Sequence, residues 1–416
     1  MGVMESEFLF SETASKTLGE LMVADLGEAQ TLALLAKLRS RYAPHEAGAL
    51  LTQARLRIRA RTKFPHADRM FFTAEALEQA TAWPVALRRA GQIDRLAKAG
   101  AILDLGCGIG GDALALAQFR PVFAYELDPV RADFARANAR ILGLADRLHV
   151  QESDWTAALR QGNLATATAA FVDPARRVDG RRVFRPQEMQ PPLSALIPLR
   201  DHVALLVVKI MPGVKDVDLP DDCSVQFVSH QGTCKEAVLW FAPENRRERR
   251  ASVQTARGWI DLTASGMTPP SGPLAASQTL HEPDPAVIRA GALAELCSDL
   301  GAHLFDPQIA YLVAPGPGDH PLTASFVIHE VHRFSLKQLN RRLQALGIGE
   351  VELKKRGFPD QPESLRPRLK LVKGGGKAVI FFTRRGREHL MLIASRAAAT
   401  PPDPQRSIAN EDSTAQ

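Results

Sequence analysis

A glycine-rich turn between an apolar strand and a helix is the part of the sequence whose residue types point most directly to chemistry. Residues 101–105 are typical of a short buried strand, and the small apolar residues after Asp112 are typical of a helix packed on a sheet. Between them, Gly106, Gly108 and Gly110 allow the backbone to turn sharply and to approach a bound molecule closely. The free N–H groups at the start of the helix can hold an anionic group. The turn therefore predicts a binding site for a nucleotide-type ligand.

Three further apolar segments, each predicted to be a strand, carry or precede an acidic residue at their ends. The segments and their acidic residues are 122–128 with Glu126, 148–152 with Asp154, and 169–172 with Asp173. Glu126 lies about 20 positions after the first glycine, where a carboxylate can hold the two hydroxyls of a ribose. The sequence therefore predicts a nucleoside site formed by successive strand ends.

Four strand ends in this order resemble the S-adenosylmethionine-dependent methyltransferases of the Rossmann-like class, over roughly residues 98–245. In that class, acidic or polar residues at successive strand ends hold the methionine, ribose and adenine parts of the cofactor. The resemblance implies a ribose contact for Glu126 and an adenine contact for Asp154, and we expect Asp104 to order the glycine turn. The predicted cofactor-binding residues are Asp104, Gly106, Gly108, Gly110, Glu126, Asp154 and Asp173.

Two alternatives to a methyltransferase remain open from the residues alone. Gly106, Gly108 and Gly111 also fit the GxGxxG spacing of dinucleotide-binding proteins, which would indicate a NAD-dependent oxidoreductase. That interpretation leaves Asp154 and Asp173 without a role. A non-catalytic RNA-binding protein that retains a pocket for S-adenosylmethionine is the other alternative.

The motif Asp173-Pro174-Ala175-Arg176 lies where the resemblance places the methyl acceptor. Methyltransferases of amino groups carry an aromatic residue at its fourth position, and here that residue is absent. An arginine there resembles the uridine carbon methyltransferases, but these need a cysteine nucleophile, and none follows the next strand near Lys209. The acceptor is therefore predicted to be a nitrogen or an oxygen that loses its proton to Asp173 or to solvent. Asp173, Arg176 and Lys209 are the predicted catalytic residues, and Arg176, Arg177 or Lys209 is predicted to hold a phosphate.

Composition narrows the class of protein. The 416 residues suffice for two or three domains, and 45% hydrophobic with 24% charged residues is ordinary for a globular chain. Apolar runs stay short of the roughly 20 residues of a membrane span, and the N-terminus lacks a signal-peptide pattern, so we expect a cytoplasmic protein without a membrane partner. Four widely spaced cysteines indicate no metal site, and Cys107 is predicted to be a packing residue.

Positive charge is concentrated near the C-terminus. The formal net charge is +6, and residues 331–395 contain about 15 Lys and Arg against about 5 Asp and Glu. Clustered cations gain binding free energy by releasing the counterions of a polyanion, so the charge of this region predicts an RNA partner. Solvated helix faces are the alternative explanation.

The whole chain resembles a bacterial group of these methyltransferases with a THUMP-like domain at the C-terminus. The motifs that carry the resemblance, besides the glycine turn and the Asp173 motif, are Lys63-Phe64-Pro65, Arg69-Met70-Phe71-Phe72-Thr73, Cys234-Lys235-Glu236, Phe334-Ser335-Leu336-Lys337 and Lys354-Lys355-Arg356-Gly357. Because THUMP domains bind structured RNA, the resemblance implies an RNA acceptor such as tRNA or rRNA.

The predicted fold class is α/β: a Rossmann-like, seven-stranded methyltransferase sheet with an N-terminal helical domain and a small C-terminal α+β THUMP-like domain. A single helix is expected over 285–301. The predicted parts are a helical accessory domain at 1–95, the methyltransferase domain at 96–265, a small α/β linker unit at 266–325, the basic THUMP-like domain at 326–396 and a disordered tail at 397–416.

Overall fold

The computed structural model describes residues 7–175, 177–178, 181–183, 185–242, 247–316 and 318–397. The chain forms two compact units. The first comprises the residues up to Val225 together with Glu236–Arg247, and the second comprises Gln226–Lys235 together with the residues from Glu248 onward. Within the described ranges, no helix is long and apolar enough to cross a membrane.

The first unit begins with helices, as the sequence predicts for this region. They are α1 (Glu12–Met22), α2 (Glu28–Arg39), α3 (Pro44–Ala60), α4 (Ala74–Gln79) and α5 (Trp83–Leu96). The hydroxyl of Thr73 accepts a hydrogen bond from Ala76 N at 3.1 Å, so Thr73 caps α4.

Helix α3 holds the segment that follows it through buried polar side chains. Gln53 accepts from Phe72 N and donates to Phe72 O, and Arg57 donates to Met70 O at 2.9 Å. Arg57 is buried, and the carbonyls of the next segment satisfy its guanidinium. These contacts fix the course of residues 69–72.

An α/β region follows these helices along the chain. Its strands and helices are β1 (Ile102–Leu105), α6 (Gly111–Ala117), β2 (Val122–Glu126), α7 (Pro129–Ile141), β3 (Leu148–Glu152), α8 (Trp155–Arg160), β4 (Ala169–Val172), the short pair β5 (Arg177–Val178) and β6 (Arg181–Arg182), β7 (Leu205–Ile210), β8 (Ser224–His230) and β9 (Thr233–Phe241). The strand order β3-β2-β1-β4-β7 is parallel throughout, and β9 runs antiparallel to β7.

Central strands of this sheet are buried on both faces. All residues of β1, β4 and β7 are buried, which is expected where helices cover both sides of parallel strands. A tight turn with positive φ at Gln231 and Gly232 joins β8 to β9, as suits a two-residue hairpin. With this terminal hairpin the seven strands predicted for the methyltransferase are present, and they belong to a sheet of nine strands. The predicted α/β fold class is confirmed.

The second unit contains the remaining strands and helices. Its elements are β10 (Arg249–Thr255), β11 (Gly258–Thr263), β12 (Thr279–Pro283), α9 (Pro285–Ala290), α10 (Leu293–Leu300), β13 (His303–Leu304), β14 (Leu312–Ala314), β15 (Thr323–Arg333), α11 (Leu336–Ala345), β16 (Ile348–Lys355), α12 (Pro362–Leu365), β17 (Gly376–Arg385) and β18 (Glu388–Arg396). Strands β12 to β18 lie in the order β13-β14-β12-β15-β18-β17-β16. Successive residues of β17 enter two different hydrophobic clusters, Val379 and Phe381 in one and Ile380 and Phe382 in the other. The sheet is therefore buried on both faces.

Two details differ from the sequence-based expectation. The helix expected over 285–301 is two helices, α9 and α10, because Gly291 at φ 79° ends the first one. Strands β12 to β14, from the predicted linker unit, share one sheet with β15 to β18, from the predicted basic domain. The predicted domain boundaries stay a prediction.

Candidate active site

A cavity of about 650 Å³ lies at the carboxyl ends of β1, β2 and β4 in the first unit. Most of the predicted site residues line it: Asp104, Gly106, Gly108, Glu126, Asp154 and Asp173. Gly110 and Lys209 lie behind this wall, and Arg176 lies outside the described residues.

The glycine turn has a backbone that other residues rarely adopt. Gly106, Gly108 and Gly110 have φ angles of 91°, 58° and 89°. Gly110 also faces helix α7, since a Cβ built there would lie 3.5 Å from Ala135. The amides of Gly106 and Cys107 both donate to the carbonyl of Tyr125 in β2, at 2.9 and 3.0 Å. The turn is thereby fixed to the end of the neighbouring strand.

Glu126 holds two backbone amides at the end of β2. Its Oε2 accepts from Gly108 N at 2.8 Å, and its Oε1 accepts from Asp128 N at 2.9 Å. Each carboxylate oxygen has a further lone pair, so the group can still accept hydrogen bonds from a ligand in the cavity. Asp128 caps helix α7 through Arg131 N.

Asp104 is buried in β1, and its Oδ2 has no hydrogen-bond partner among the described residues. Burial raises the pKa of its carboxyl well above the usual value of 3.8, and the nearby Asp112 and Asp173 raise it further. Glu126 makes a side-chain hydrogen bond to the glycine turn, and the role of Asp104 in ordering that turn stays a prediction. An unpaired buried carboxyl beside a cavity suits a cationic ligand group.

Asp154 lies at the rim of the cavity and caps helix α8. Its Oδ1 accepts from the amide of Thr156 at 2.8 Å and from the hydroxyl of the same residue at 2.7 Å. The hydroxyl contact lowers the pKa of the Asp154 carboxyl. Asp154 thus combines the predicted position with a capping role.

Asp173 follows β4 and forms an ion pair with Lys209 of β7. Lys209 Nζ lies 2.5 Å from Asp173 Oδ2 and donates to the hydroxyl of Thr81 at 2.9 Å. Because Lys209 is buried and bonded on both sides, it holds Asp173 rather than facing outward as the predicted phosphate ligand would.

The ion pair continues into a buried network that the sequence did not predict. The hydroxyl of Thr81 donates to Asp112 at 2.9 Å, and the guanidinium of Arg89 pairs with both Asp112 and Glu236. Although burial would raise the pKa of Asp112, the charges of Arg89 and Lys209 lower it. Burial alone would lower the pKa of Arg89, but its two carboxylate partners raise it.

One signal in the sequence could have found this network. Arg89 lies on the apolar face of α5, among Val85, Ala86 and Ile93, where a lone cation requires buried anionic partners. The identity of those partners could not be derived, because Glu236 is 147 positions away.

Two backbone segments close the cavity beside Asp173. The ammonium of Lys63 donates to the carbonyls of Leu77, Glu78 and Ala80 at 2.7, 2.9 and 2.9 Å, which fixes the chain just before Thr81. On the other side, paired backbone hydrogen bonds between Ala175 and Gln190 bring residues 190–192 to the cavity wall. The second segment carries no motif that would have singled it out.

The charge of the cavity wall favours a cationic ligand. Five acidic residues line the cavity and Arg131 is its one basic residue among the described ones, a balance unfavourable to the diphosphate of a dinucleotide. Cys107 is the cysteine at the wall, and burial raises the pKa of its thiol well above the usual value, which keeps it unreactive as predicted for a packing residue. Within the described residues, no group of three or more His, Cys, Asp or Glu side chains could hold a metal ion.

Three family models match separate parts of the chain. Residues 99–174 match the RNA cap guanine-N2 methyltransferase model, residues 323–396 match the THUMP domain-like model, and residues 5–60 match a domain of unknown function. The first of these contains the glycine turn, Glu126, Asp154 and Asp173.

Relatives extend the likeness over most of the chain. An uncharacterised S-adenosylmethionine-dependent methyltransferase of Mycobacterium tuberculosis is 32% identical over 342 residues, 78% of this chain and 87% of the relative. An uncharacterised RNA methyltransferase of Parasynechococcus marenigrum is 45% identical over 80 residues, 19% of this chain and 17% of the relative. The crystal structure of a putative methyltransferase from Porphyromonas gingivalis has a TM-score of 0.72 at 20% identity and covers 89% of this chain and 99% of its own. That structural likeness supports the fold.

Proposed function

We propose that this chain, which belongs to the S-adenosylmethionine-dependent methyltransferases that carry a C-terminal THUMP-like domain, methylates a nitrogen or oxygen atom of RNA. The observation that carries the proposal is the Asp173 carboxylate, held by Lys209 at the wall of an acidic cavity. The family membership decides against the two alternatives, an oxidoreductase and a non-catalytic protein.

The residues of the cavity fit S-adenosylmethionine. When bound, this cofactor supplies a methyl group on a positively charged sulfur. The acidic wall stabilises such a positive charge, and the unpaired Oδ2 of Asp104 suits a hydrogen bond from an ammonium group. Glu126 is proposed to accept from the ribose hydroxyls and Asp154 from the adenine amine. Gly106 and Gly108 let the backbone approach the ligand, and Gly110 closes the turn against α7.

Asp173 is proposed to hold the acceptor atom. Its Oδ2 is bound to Lys209, which fixes the orientation of the carboxylate, so its remaining acceptor positions can take an N–H or O–H of the acceptor. Asp173 would thereby direct the lone pair of that atom toward the methyl group that the cofactor would supply. The acceptor afterwards loses its proton to Asp173 or to solvent.

Two observations support nitrogen or oxygen over carbon. Cys107, the cysteine described at the wall, lies in the glycine turn, and burial keeps it a thiol, so the cysteine nucleophile of carbon methylation is lacking. The family model that covers the site is named for methylation of an amino nitrogen of guanine.

RNA as the acceptor rests on different support. That family name and the Parasynechococcus marenigrum relative both concern RNA, and the THUMP-like region carries the surplus of positive charge. Arg176 stays a proposed phosphate ligand in the loop after Asp173.

Transfer of a labelled methyl group tests the acceptor directly. The full chain is incubated with total bacterial RNA and S-adenosylmethionine labelled in the methyl group. We expect label in material that ribonuclease removes and protease leaves. Label that protease removes would instead identify a protein acceptor.

Substitutions at the ion pair test its role. Asp173→Ala should lower turnover by about two orders of magnitude or more with nearly unchanged cofactor affinity, because the acceptor loses its anchor. Lys209→Met should also lower turnover at unchanged cofactor affinity, since Asp173 loses the group that orients it. The exposed Asp146→Ala is the matched control and should behave as the parent. An equal loss of turnover and cofactor affinity would place Asp173 in the cofactor site.

A further inference from the structure

Helix α11 of the second unit has one buried and one exposed face. Leu339 and Leu343 are fully buried in a hydrophobic cluster of this unit, while Lys337 and Arg341 are exposed. These two cations are one helical turn apart, so they project from the same side of the helix.

Amide side chains fix a loop beside this exposed face. Asn340 Nδ2 donates to Arg368 O at 3.0 Å, and Asn340 Oδ1 accepts from Lys370 N at 2.9 Å. One turn further along, Gln344 Nε2 donates to Lys370 O at 2.8 Å. The loop therefore holds Lys370 at a fixed distance from the cations of the helix.

The helix and the loop enclose a shallow groove of about 470 Å³, which we call the basic groove. It is lined by Leu336, Lys337, Asn340, Arg341, Gln344 and Lys370. Three of the six residues are cationic and none is acidic, and Leu336 gives the groove an apolar part.

The charges of the basic groove are available, in contrast to many others in this unit. Arg342 is bound to Glu330, Lys354 to Glu282, and Arg396 to Glu352. Among the described residues, no acidic side chain pairs with Lys337, Arg341 or Lys370. Ion pairs thus involve part of the surplus charge noted in the sequence, and the basic groove is one place where cations have no acidic partner among the described residues.

We infer that the basic groove binds the phosphate backbone of the acceptor RNA. Neighbouring cations attract the phosphates of a nucleic-acid backbone, and the amide groups of Asn340 and Gln344 hold the loop that carries Lys370 beside the helix. Exposed Arg368 and Lys373, in the same loop region, extend the positive surface. This inference rests on the proposed RNA acceptor and adds the surface that recognises it.

Salt dependence of binding tests the groove. The full chain and a variant with Lys337→Gln and Arg341→Gln are titrated with fluorescein-labelled oligouridine at several salt concentrations. The variant should bind about tenfold or more weakly near 0.1 M salt, and the slope of log affinity against log salt should shrink by about 1.4, two contacts at about 0.7 each. Both substituted side chains are exposed, so we expect unchanged affinity for S-adenosylmethionine.

A charge-matched control uses cations that already have partners. Lys377→Gln with Arg385→Gln removes the same charge from side chains paired with Glu350 and Glu388, and should leave the slope unchanged. An equal loss in both variants would overturn the inference, because binding would then depend on net charge alone. A groove variant that keeps the parent's slope, or a parent that binds no oligouridine, would also overturn it.

Two further outcomes separate the groove from the proposed function. If polyglutamate displaces oligouridine at an equal concentration of negative charge, the groove suits an acidic polypeptide and the inference is wrong. If the parent binds oligouridine through the groove but methylates no RNA, the groove stands as an RNA-binding surface and the proposed acceptor fails.

Discussion

The carboxyl group of Asp104 carries the clearest thermodynamic consequence of burial. Its pKa in the folded protein lies above the unfolded value of about 3.9, so the folded protein holds the proton more tightly. Ionisation as the pH rises through and above this value therefore opposes folding. Asp104→Asn should raise the free energy of unfolding by about 1–3 kcal/mol at pH 8, with a smaller difference near pH 4.

Urea unfolding of the ligand-free protein across this pH range measures the effect, with the exposed Asp146→Asn as control. Asp104→Asn should at the same time bind S-adenosylmethionine more weakly, since the cavity loses a negative charge. A variant less stable than the parent at every pH would show that the carboxyl does order the glycine turn.

Glu126 differs from Asp104 because both of its carboxylate oxygens already accept hydrogen bonds from backbone amides. Glu126→Ala should weaken binding of S-adenosylmethionine by about 1–3 kcal/mol through lost charge-assisted hydrogen bonds, as measured by calorimetry. Glu152→Ala is the matched control, since Glu152 is the register partner of Glu126 on β3 and is exposed. Unchanged affinity of the Glu126 variant would remove this residue from the cofactor site.

Helix α5 is attached to the sheet of the first unit by a charge as well as by apolar packing. Arg89 lies between Asp112 and Glu236 with almost no exposed surface, and its guanidinium also lies over the ring of Phe171 at 4.6 Å. Removing one partner of a buried pair leaves the others uncompensated. Arg89→Ala should therefore lower the free energy of unfolding by about 3–5 kcal/mol in urea unfolding.

The same helix provides the control. Arg95 is exposed in the last turn of α5, and Arg95→Ala should change stability by less than about 0.5 kcal/mol. Equal effects of the two substitutions would mean that the network contributes little. A stable Arg89→Ala protein with normal turnover would contradict the role given to the network.

Local patterns made most single elements predictable. The apolar segments predicted to be strands agree with β1 to β4 to within a few residues. The glycines of the turn lie where the sequence predicted a sharp backbone turn. Pairing between distant elements was not predictable. The partners of Arg89 lie 23 and 147 positions away, and the role of Lys209 depends on Asp173, 36 positions away on a neighbouring strand.

The arrangement of whole sheets was harder still to derive. Strands β12 and β15 are neighbours in the second unit although they fall in different predicted parts, because sheet pairing joins residues distant along the chain. Surplus charge near the C-terminus was evident from composition, but which cations are free depends on acidic partners that composition does not identify.

Cofactor binding should slow the exchange of backbone amide hydrogens in the first unit and leave exchange in the second unit nearly unchanged. Every residue lining the large cavity belongs to that unit, so ligand binding stabilises its local structure against opening. Hydrogen exchange with saturating S-adenosylhomocysteine should slow most at residues 104–112 and 126–128, with little change in β17 and β18. Glu126→Ala should reduce that protection at the same ligand concentration. Uniform slowing across both units would contradict this localisation.

The buried network from Asp173 to Glu236 also limits how such a protein can evolve. In this network each acidic side chain contacts a basic side chain or a hydroxyl group. The members in order are Asp173, Lys209, Thr81, Asp112, Arg89 and Glu236. Loss of one charge leaves its neighbour buried and unpaired, so the first of two compensating mutations is itself harmful. Lineages that keep the Asp173 carboxylate should therefore change the other five positions together or leave them all unchanged.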